Sequence, residues 1–197
     1  MTKSELRKIY LERRRSLSAA EIADKSLRIA ELFFDNFDPE QIKLLHCFIA
    51  IEKFNEIDTT TIFHRLWSEF PQITTVVPRV DHVSGEIGNF TFGPETQLVK
   101  NQWGIREPVD GESVSDADID LVLVPLLCFD RGGHRVGYGK GFYDKLLSKC
   151  RPDCVKIGLS YFPPEAMIED TNPYDVKLDR CITPDEIYNR DAEVAIK

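Results

Sequence analysis

The run Leu121-Val122-Leu123-Val124 is apolar at every position. A strand turns alternate residues to opposite faces, so a strand without a polar face must be covered on both. Residues 44–50 (Leu-Leu-His-Cys-Phe-Ile-Ala) and 155–161 have the same character, and Cys181-Ile182 lies in a last short strand. Residues 73–77 read as a strand stopped by Pro78. Residues 85–93 read as a hairpin in which Phe90 and Phe92 alternate with polar residues. Helical signals fall between these runs. Thr2-Lys3-Ser4-Glu5 and Ser18-Ala19-Ala20-Glu21 are capping-box patterns, in which hydroxyl and carboxylate satisfy free amides at a helix start. The second helix should run to about Phe34 and end at Asp38-Pro39. Residues 56–70 place Ile62, Leu66 and Phe70 on one helical side, and residues 142–148 form a helix after a glycine-rich loop. Alternating strands and helices with buried strands predict an α/β fold: a three-layer, open, mostly parallel sheet with helices on both faces, in one domain spanning 1–197. Ligands of such sheets bind outside the carboxyl ends of the strands. The loop after residues 121–127 is in that position.

The 197 residues suffice for a core without metal or disulfide staples. No apolar run approaches the ~20 residues of a membrane helix. Residues 1–15 are charged and lack an apolar signal core, so a cytoplasmic location is expected. A net charge of -8 argues against general nucleic-acid binding. Cys47, Cys128, Cys150, Cys154 and Cys181 are scattered in apolar surroundings, as reduced thiols are. Cys150 and Cys154 lack a second pair to complete a zinc site. None of His46, His64, His82 and His134 has a partner at metal-ligand spacing, and His46 reads as a core or edge residue.

Five glycines, Gly132, Gly133, Gly137, Gly139 and Gly141, fall within ten residues of a chain that has 11 in all. Glycines let a backbone approach a ligand, and successive amides before a helix start form an anion pocket. Arg135 and Lys140 add positive charge to the same stretch. The spacing fits neither the Walker loop nor the dinucleotide fingerprint, and a tight turn without a ligand is the alternative reading. On a helix, Lys3, Arg7, Tyr10 and Arg14 share one side beside Leu6 and Leu17. This stripe is either a phosphate-binding face or a solvated one. Asp144 stands at a helix start, where an acid also serves as a simple dipole partner.

Pro125, the apolar residues after it, Phe129-Asp130, Gly133-His134-Arg135 and Gly137-Tyr138-Gly139-Lys140-Gly141-Phe142-Tyr143-Asp144 together resemble the signature of the 5-formyltetrahydrofolate cyclo-ligase family. Further landmarks extend the resemblance over nearly the whole chain. They are Lys3 with Arg7, Glu56-Ile57-Asp58-Thr59, Gly104-Ile105-Arg106-Glu107-Pro108, and Asp179 with Ile182-Thr183. Lys140 stands where many members have Gly, and Phe142 where many have Tyr.

The resemblance implies the sheet of sugar-phosphate isomerases and CoA-transferases, and an ATP- and Mg2+-dependent enzyme. ATP would phosphorylate the formyl oxygen of 5-formyltetrahydrofolate. N10 would then close the ring to 5,10-methenyltetrahydrofolate, with ADP and phosphate released. No protein nucleophile is needed. By the same resemblance ATP would meet Lys3, Ser4, Glu5, Leu6 and Arg7, and the loop Arg135, Val136, Gly137, Tyr138, Gly139, Lys140, Gly141, Phe142 and Tyr143. Folate would meet Ile51, Glu56, Tyr138, Gly139, Lys140, Gly141 and Phe142, with Glu56 accepting from the pterin edge. Arg135, Lys140 and Tyr143 would act in catalysis, and Asp144 and Asp179 would serve Mg2+. The expected partners are small molecules alone, ATP and a folate with or without a polyglutamate tail. Nucleic acid and membrane are not expected, and the working unit is expected to be a monomer. Two alternatives are a phosphate-binding sugar-phosphate or acyl-CoA enzyme of the same sheet type and a non-catalytic nucleotide- or folate-binding descendant. The presence of Glu56, Asp144 and Asp179 argues against the descendant.

Overall fold

A computed structural model describes residues 1–81, 86–101 and 104–190; His82 and Gly85, singled out above, lie outside the described residues. In chain order the elements are α1 (Lys3–Arg15), α2 (Ala19–Asp35), β1 (Leu44–His46), α3 (Thr60–Glu69), β2 (Thr74–Asp81), β3 (Glu86–Thr91), β4 (Leu98–Lys100), β5 (Arg106–Pro108), β6 (Ser113–Val114), β7 (Leu121–Pro125), β8 (Cys128–Phe129), β9 (Arg135–Val136), α4 (Phe142–Lys149), β10 (Val155–Leu159), β11 (Arg180–Ile182) and β12 (Ile187–Asn189). Eight strands form one sheet in the order β12-β11-β10-β7-β1-β2-β3-β6, and β4–β5 and β8–β9 are separate two-stranded ribbons.

The five central strands, β11, β10, β7, β1 and β2, are parallel, and the outer strands pair antiparallel. From β1 the chain adds β2 on one side and β7, β10 and β11 on the other. The winding direction therefore reverses between β1 and β7, and the crevice beyond their carboxyl ends is the switch point where open sheets bind ligands. At the opposite end the Asp120 carboxylate accepts from the Lys43 and Leu44 amides at 2.6 and 2.7 Å, fixing the start of β1 against β7.

Period-two alternation divides the core. Leu121 and Leu123 face α2 and α3, packing with Ile29, Phe33, Ile62 and Leu66. Val122 and Val124 face α4, packing with Leu146 and Leu147. A fully buried side chain of this size contributes roughly 1.5–3 kcal/mol. The uninterrupted apolar run thus has the double cover it requires, and helices lie on both faces. A third cluster joins Leu6 and Tyr10 of α1 to Leu127, Cys128 and Val136 of the β8–β9 ribbon. Both predicted capping boxes are formed. All five cysteines are free thiols. No described helix is long and apolar enough to cross a membrane.

Three expectations need correction. Pro78 does not stop β2, which pairs with β3 through Asp81. Val80, two residues on and so facing the same way, sends its amide to Glu107 Oε1 (3.2 Å), away from β3. The side that lacks a proline N–H is therefore the side without a strand partner, because β1 pairs β2 only as far as Val76. The strand at residues 44–50 is shorter than expected, with 47–50 irregular. The helix expected from Glu56 starts at Thr60. A single turn at Glu52–Phe54 ends in left-handed Asn55 (φ 48), and the Thr59 hydroxyl donates to the Phe48 carbonyl at 2.8 Å. Glu56 is accordingly a loop residue held over the end of β1.

Candidate active site

The first half of the glycine-rich segment is structural. Asp130 closes the β8–β9 turn: its amide donates to the His134 carbonyl and its Oδ1 accepts from the His134 amide, both at 3.0 Å. Gly133 has φ +82, and a Cβ there would lie 2.6 Å from the Leu178 carbonyl oxygen. The ribbon delivers Arg135 and then the stretch 137–141. Gly139 (φ +86) and Gly141 (φ +69) take conformations that side chains resist. Gly141 is the N-cap of α4 and offers no side chain to the first-turn amides. Those amides meet the loop at the positive end of the helix, which suits an anion. Gly139, Lys140 and Gly141 are exposed, Phe142 is partly so, and Val136 is core.

Helix α1 seats its basic residues against this loop. Arg7 Nε donates to the Gly137 carbonyl at 2.9 Å, and a Cβ on Gly139 would lie 3.1 Å from the Arg7 guanidinium carbon. Lys3 Nζ is paired with Asp175. The stripe is not a solvated face, since Leu6, Tyr10 and Arg14 are all buried. Leu6 is core, and Ser4 is exposed. The Glu5 carboxylate is engaged by the capping box, accepting from the Thr2 amide at 2.9 Å.

Arg135, its side chain only 7% exposed, donates to Asp144 Oδ1 at 2.7 Å and to the Val176 carbonyl. The Val176 amide returns to Asp144 Oδ1 at 3.2 Å. Burial pulls the Arg135 pKa down, against the charges of Asp144 and Asp175. Burial pushes the Asp175 carboxyl up, but Lys3, the Asn172 amide and Arg135 outweigh it and hold it below the ordinary range. Asp144 therefore pairs with the buried guanidinium, and Asp175 lies near enough to act on it by charge.

The contacts of Asp179, the other residue expected to serve magnesium, lie elsewhere. It precedes β11, where its carboxylate accepts from the Lys156 amide at 2.9 Å and faces Lys156 Nζ (3.7 Å) and Arg190 (3.4 Å). Buried Leu178 separates the two aspartates and anchors the chain between them. Magnesium takes one or two carboxylates and fills its shell with water and phosphate oxygens. Among the described residues no group of three or more His, Cys, Asp or Glu is arranged to hold a metal ion. Asp144, one third exposed, and Asp175 fit that two-carboxylate pattern.

Across the loop lies a second, drier group. Glu56 is 5% exposed. Its Oε2 accepts from the Ile51 amide at 2.8 Å, and its Oε1 from the Tyr138 hydroxyl at 2.7 Å. Burial pushes the Glu56 carboxyl above the ordinary range; the Arg14 charge and the two hydrogen bonds oppose it. Phe54 packs its ring 5.1 Å from that of Tyr138. The Tyr143 hydroxyl is buried without a described partner, and burial raises its pKa far above the usual value. Its ring meets that of His46 edge-on at 5.8 Å.

Sequence reasoning missed Asp175 and left Arg14 unassigned. The Asn172-Pro173 turn signal ahead of Asp175, and the helical spacing of Arg14 with Leu6 and Tyr10, were available to find them.

A model of the 5-formyltetrahydrofolate cyclo-ligase family matches residues 1–184. A 5-formyltetrahydrofolate cyclo-ligase of Mus musculus is 29% identical over 152 residues, covering 74% of this chain and 73% of the mouse protein. That of Haemophilus influenzae is 26% identical over 181 residues, covering 89% and 92%. The solved structure of Aquifex aeolicus 5,10-methenyltetrahydrofolate synthetase matches with a TM-score of 0.77 at 27% identity, covering 100% of this chain and 97% of that one. The Mycoplasma pneumoniae synthetase matches at 0.72 and 28% identity, covering 93% and 99%. A family match over residues 1–184, with a fold match that covers the full chain, means that the chain belongs to the 5-formyltetrahydrofolate cyclo-ligase family.

Proposed function

We propose that this chain converts 5-formyltetrahydrofolate to 5,10-methenyltetrahydrofolate at the expense of ATP. The observation that carries the reading is the pairing, at one switch point, of the 137–141 loop on Arg7 with the Glu56–Tyr138 pair. One is suited to a polyphosphate, the other to a polar heterocycle edge.

Each Glu56 oxygen already accepts one protein hydrogen bond and retains a lone pair. Two adjacent N–H groups of a pterin fit those remaining sites, in a charge-assisted and directional contact. Ile51 and Phe54 supply apolar walls. Arg7, Lys3, Arg135 and the α4 amides are the phosphate contacts, with Lys140 reaching from the exposed edge. Magnesium bound with the nucleotide would shield phosphate charge, and Asp144 and Asp175 are the residues that would hold it. The formyl oxygen attacks the γ-phosphorus, and the bond to ADP breaks. The N10 lone pair then forms the new C–N bond, phosphate departs with the C–O electrons, and the N10 proton passes to solvent. The protein's part is to align two substrates in a site that excludes water. The protonated Tyr143 hydroxyl, buried beside the loop, is a donor for the developing charge. The proposed working unit is a monomer, acting on folates with or without a polyglutamate tail. Stoichiometry tests the reading: one ADP and one phosphate per folate consumed supports it, and folate turnover without ADP formation overturns it.

A further inference from the structure

We infer that Arg14 is the positioning residue that holds Glu56 as an oriented anion for the folate, acting through the hydroxyl of Tyr138. This rests on the reading of Glu56 as the folate carboxylate.

Arg14 is 2% exposed, at the end of the helix whose Arg7 reaches the 137–141 loop. One terminal nitrogen donates to the Leu126 carbonyl just beyond β7; the other donates to the Tyr138 hydroxyl at 2.9 Å. A guanidinium accepts no hydrogen bond, so the phenol oxygen must be the acceptor. The phenol hydrogen is then free to serve Glu56 Oε1, 2.7 Å away. Arg14 thereby fixes the order of donors along the chain and leaves Glu56 an outward lone pair on each oxygen. It is also the nearby positive charge. Glu56 is faced by Arg14 from α1, Tyr138 from the loop, Tyr143 from α4 and Tyr161 after β10, whose hydroxyl donates to the Glu56 carbonyl at 2.9 Å. Of these four, Arg14 alone is cationic, and its charge is the first of the effects opposing burial at Glu56. The Asn55 side chain closes the arrangement, donating to the Arg14 carbonyl at 2.9 Å and tying the helix to the Glu56 loop.

The test compares Arg14→Gln, Arg14→Lys and Glu56→Gln, measuring equilibrium binding of 5-formyltetrahydrofolate without ATP, and of ATP alone, from mildly acid to mildly alkaline pH. Carbon-13 NMR of the Glu56 carboxyl, assigned by its loss in Glu56→Gln, reads the ionisation directly. Arg14→Gln should weaken folate binding roughly tenfold or more at neutral pH. The loss should deepen as pH falls, ATP binding should hold, and the Glu56 midpoint should move to higher pH. Arg14→Lys keeps a charge but not the two-point hold, so it should fall between the two and keep the wild-type pH dependence. If Arg14→Gln does not fold, Arg14→Lys carries the test, and equal losses of folate and ATP binding overturn the inference. A folded Arg14→Gln with an unmoved Glu56 midpoint also overturns it, reducing Arg14 to a structural residue. Should Glu56→Gln bind folate like the wild type, the reading of Glu56 itself fails, a different result from an unmoved midpoint.

Discussion

The Tyr138 hydroxyl donates to Glu56 Oε1 across 2.7 Å, joining the loop after β9 to the segment after β1. Tyr138→Phe removes this donor and also strands the Arg14 nitrogen that bonds the same oxygen. Leaving buried polar groups unpaired costs about 1–3 kcal/mol, and a comparable share should appear in folate recognition. We expect KM for 5-formyltetrahydrofolate to rise about tenfold with KM for ATP little changed. Steady-state kinetics with each substrate varied in turn checks this.

Glu56 should be costly to stability. Its carboxyl is held above its ordinary pKa, with burial as the largest cause. The folded state therefore keeps a proton that the unfolded state has released, so stability falls as pH rises from the ordinary carboxylate value through the raised folded value. Glu56→Gln, isosteric and uncharged, should be more stable than the wild type above that window and lose the advantage below it, while folate turnover falls. Melting temperatures of the two proteins across pH give the comparison; parallel curves would contradict it.

The features legible in the sequence were those fixed locally. The run 121–124 is apolar throughout because β7 is central and covered on both faces, and the loop glycines announce a backbone that must turn tightly. The capping boxes mark α1 and α2 to the residue. What escaped depends on distant packing. The buried side of α1 is defined by the β8–β9 ribbon, about 120 residues later in the chain, so Arg14 reads as solvated until Leu127 and Val136 are laid against Leu6 and Tyr10. Asp175 and Asp179 are near-equivalent in sequence. Only the burial of Leu178, whose amide donates to the Gly133 carbonyl at 2.8 Å, sends one to Lys3 and the other to Lys156. Pro78 reads as a stop because the unpaired side of β2 is a property of the sheet.

The carboxylate assignment separates three single variants. Asp144→Ala should cut turnover by ~10²-fold or more, and Asp175→Asn should act in the same direction. Asp179→Asn should leave turnover and the magnesium dependence near normal, with a modest loss of stability from the Lys156 and Arg190 contacts. Titration of activity against magnesium in each variant decides. A shifted magnesium requirement in Asp179→Asn, with Asp175→Asn unaffected, reverses the assignment.

His46 should confer acid sensitivity. It is fully buried, and desolvation lowers its pKa from 6.5 to about 3. Neither ring nitrogen has a described partner. The unfolded chain takes up a proton below the ordinary value, so the stability is present above it and is lost as pH falls toward the folded value. The slope is up to roughly 1.4 kcal/mol per pH unit. His46→Leu should flatten that dependence and be nearly neutral at neutral pH, since an apolar group replaces an unsatisfied polar one. Urea denaturation at mildly acid and neutral pH measures both effects.

The most direct measurement follows the near-ultraviolet absorbance of the methenyl product when the protein is mixed with 5-formyltetrahydrofolate and Mg-ATP. A rise that requires both ATP and metal, and that is lost in Glu56→Gln and Asp144→Ala, is the predicted result. No rise in a folded protein that still binds ATP or the folate would contradict the account and favour a binding protein on the same fold.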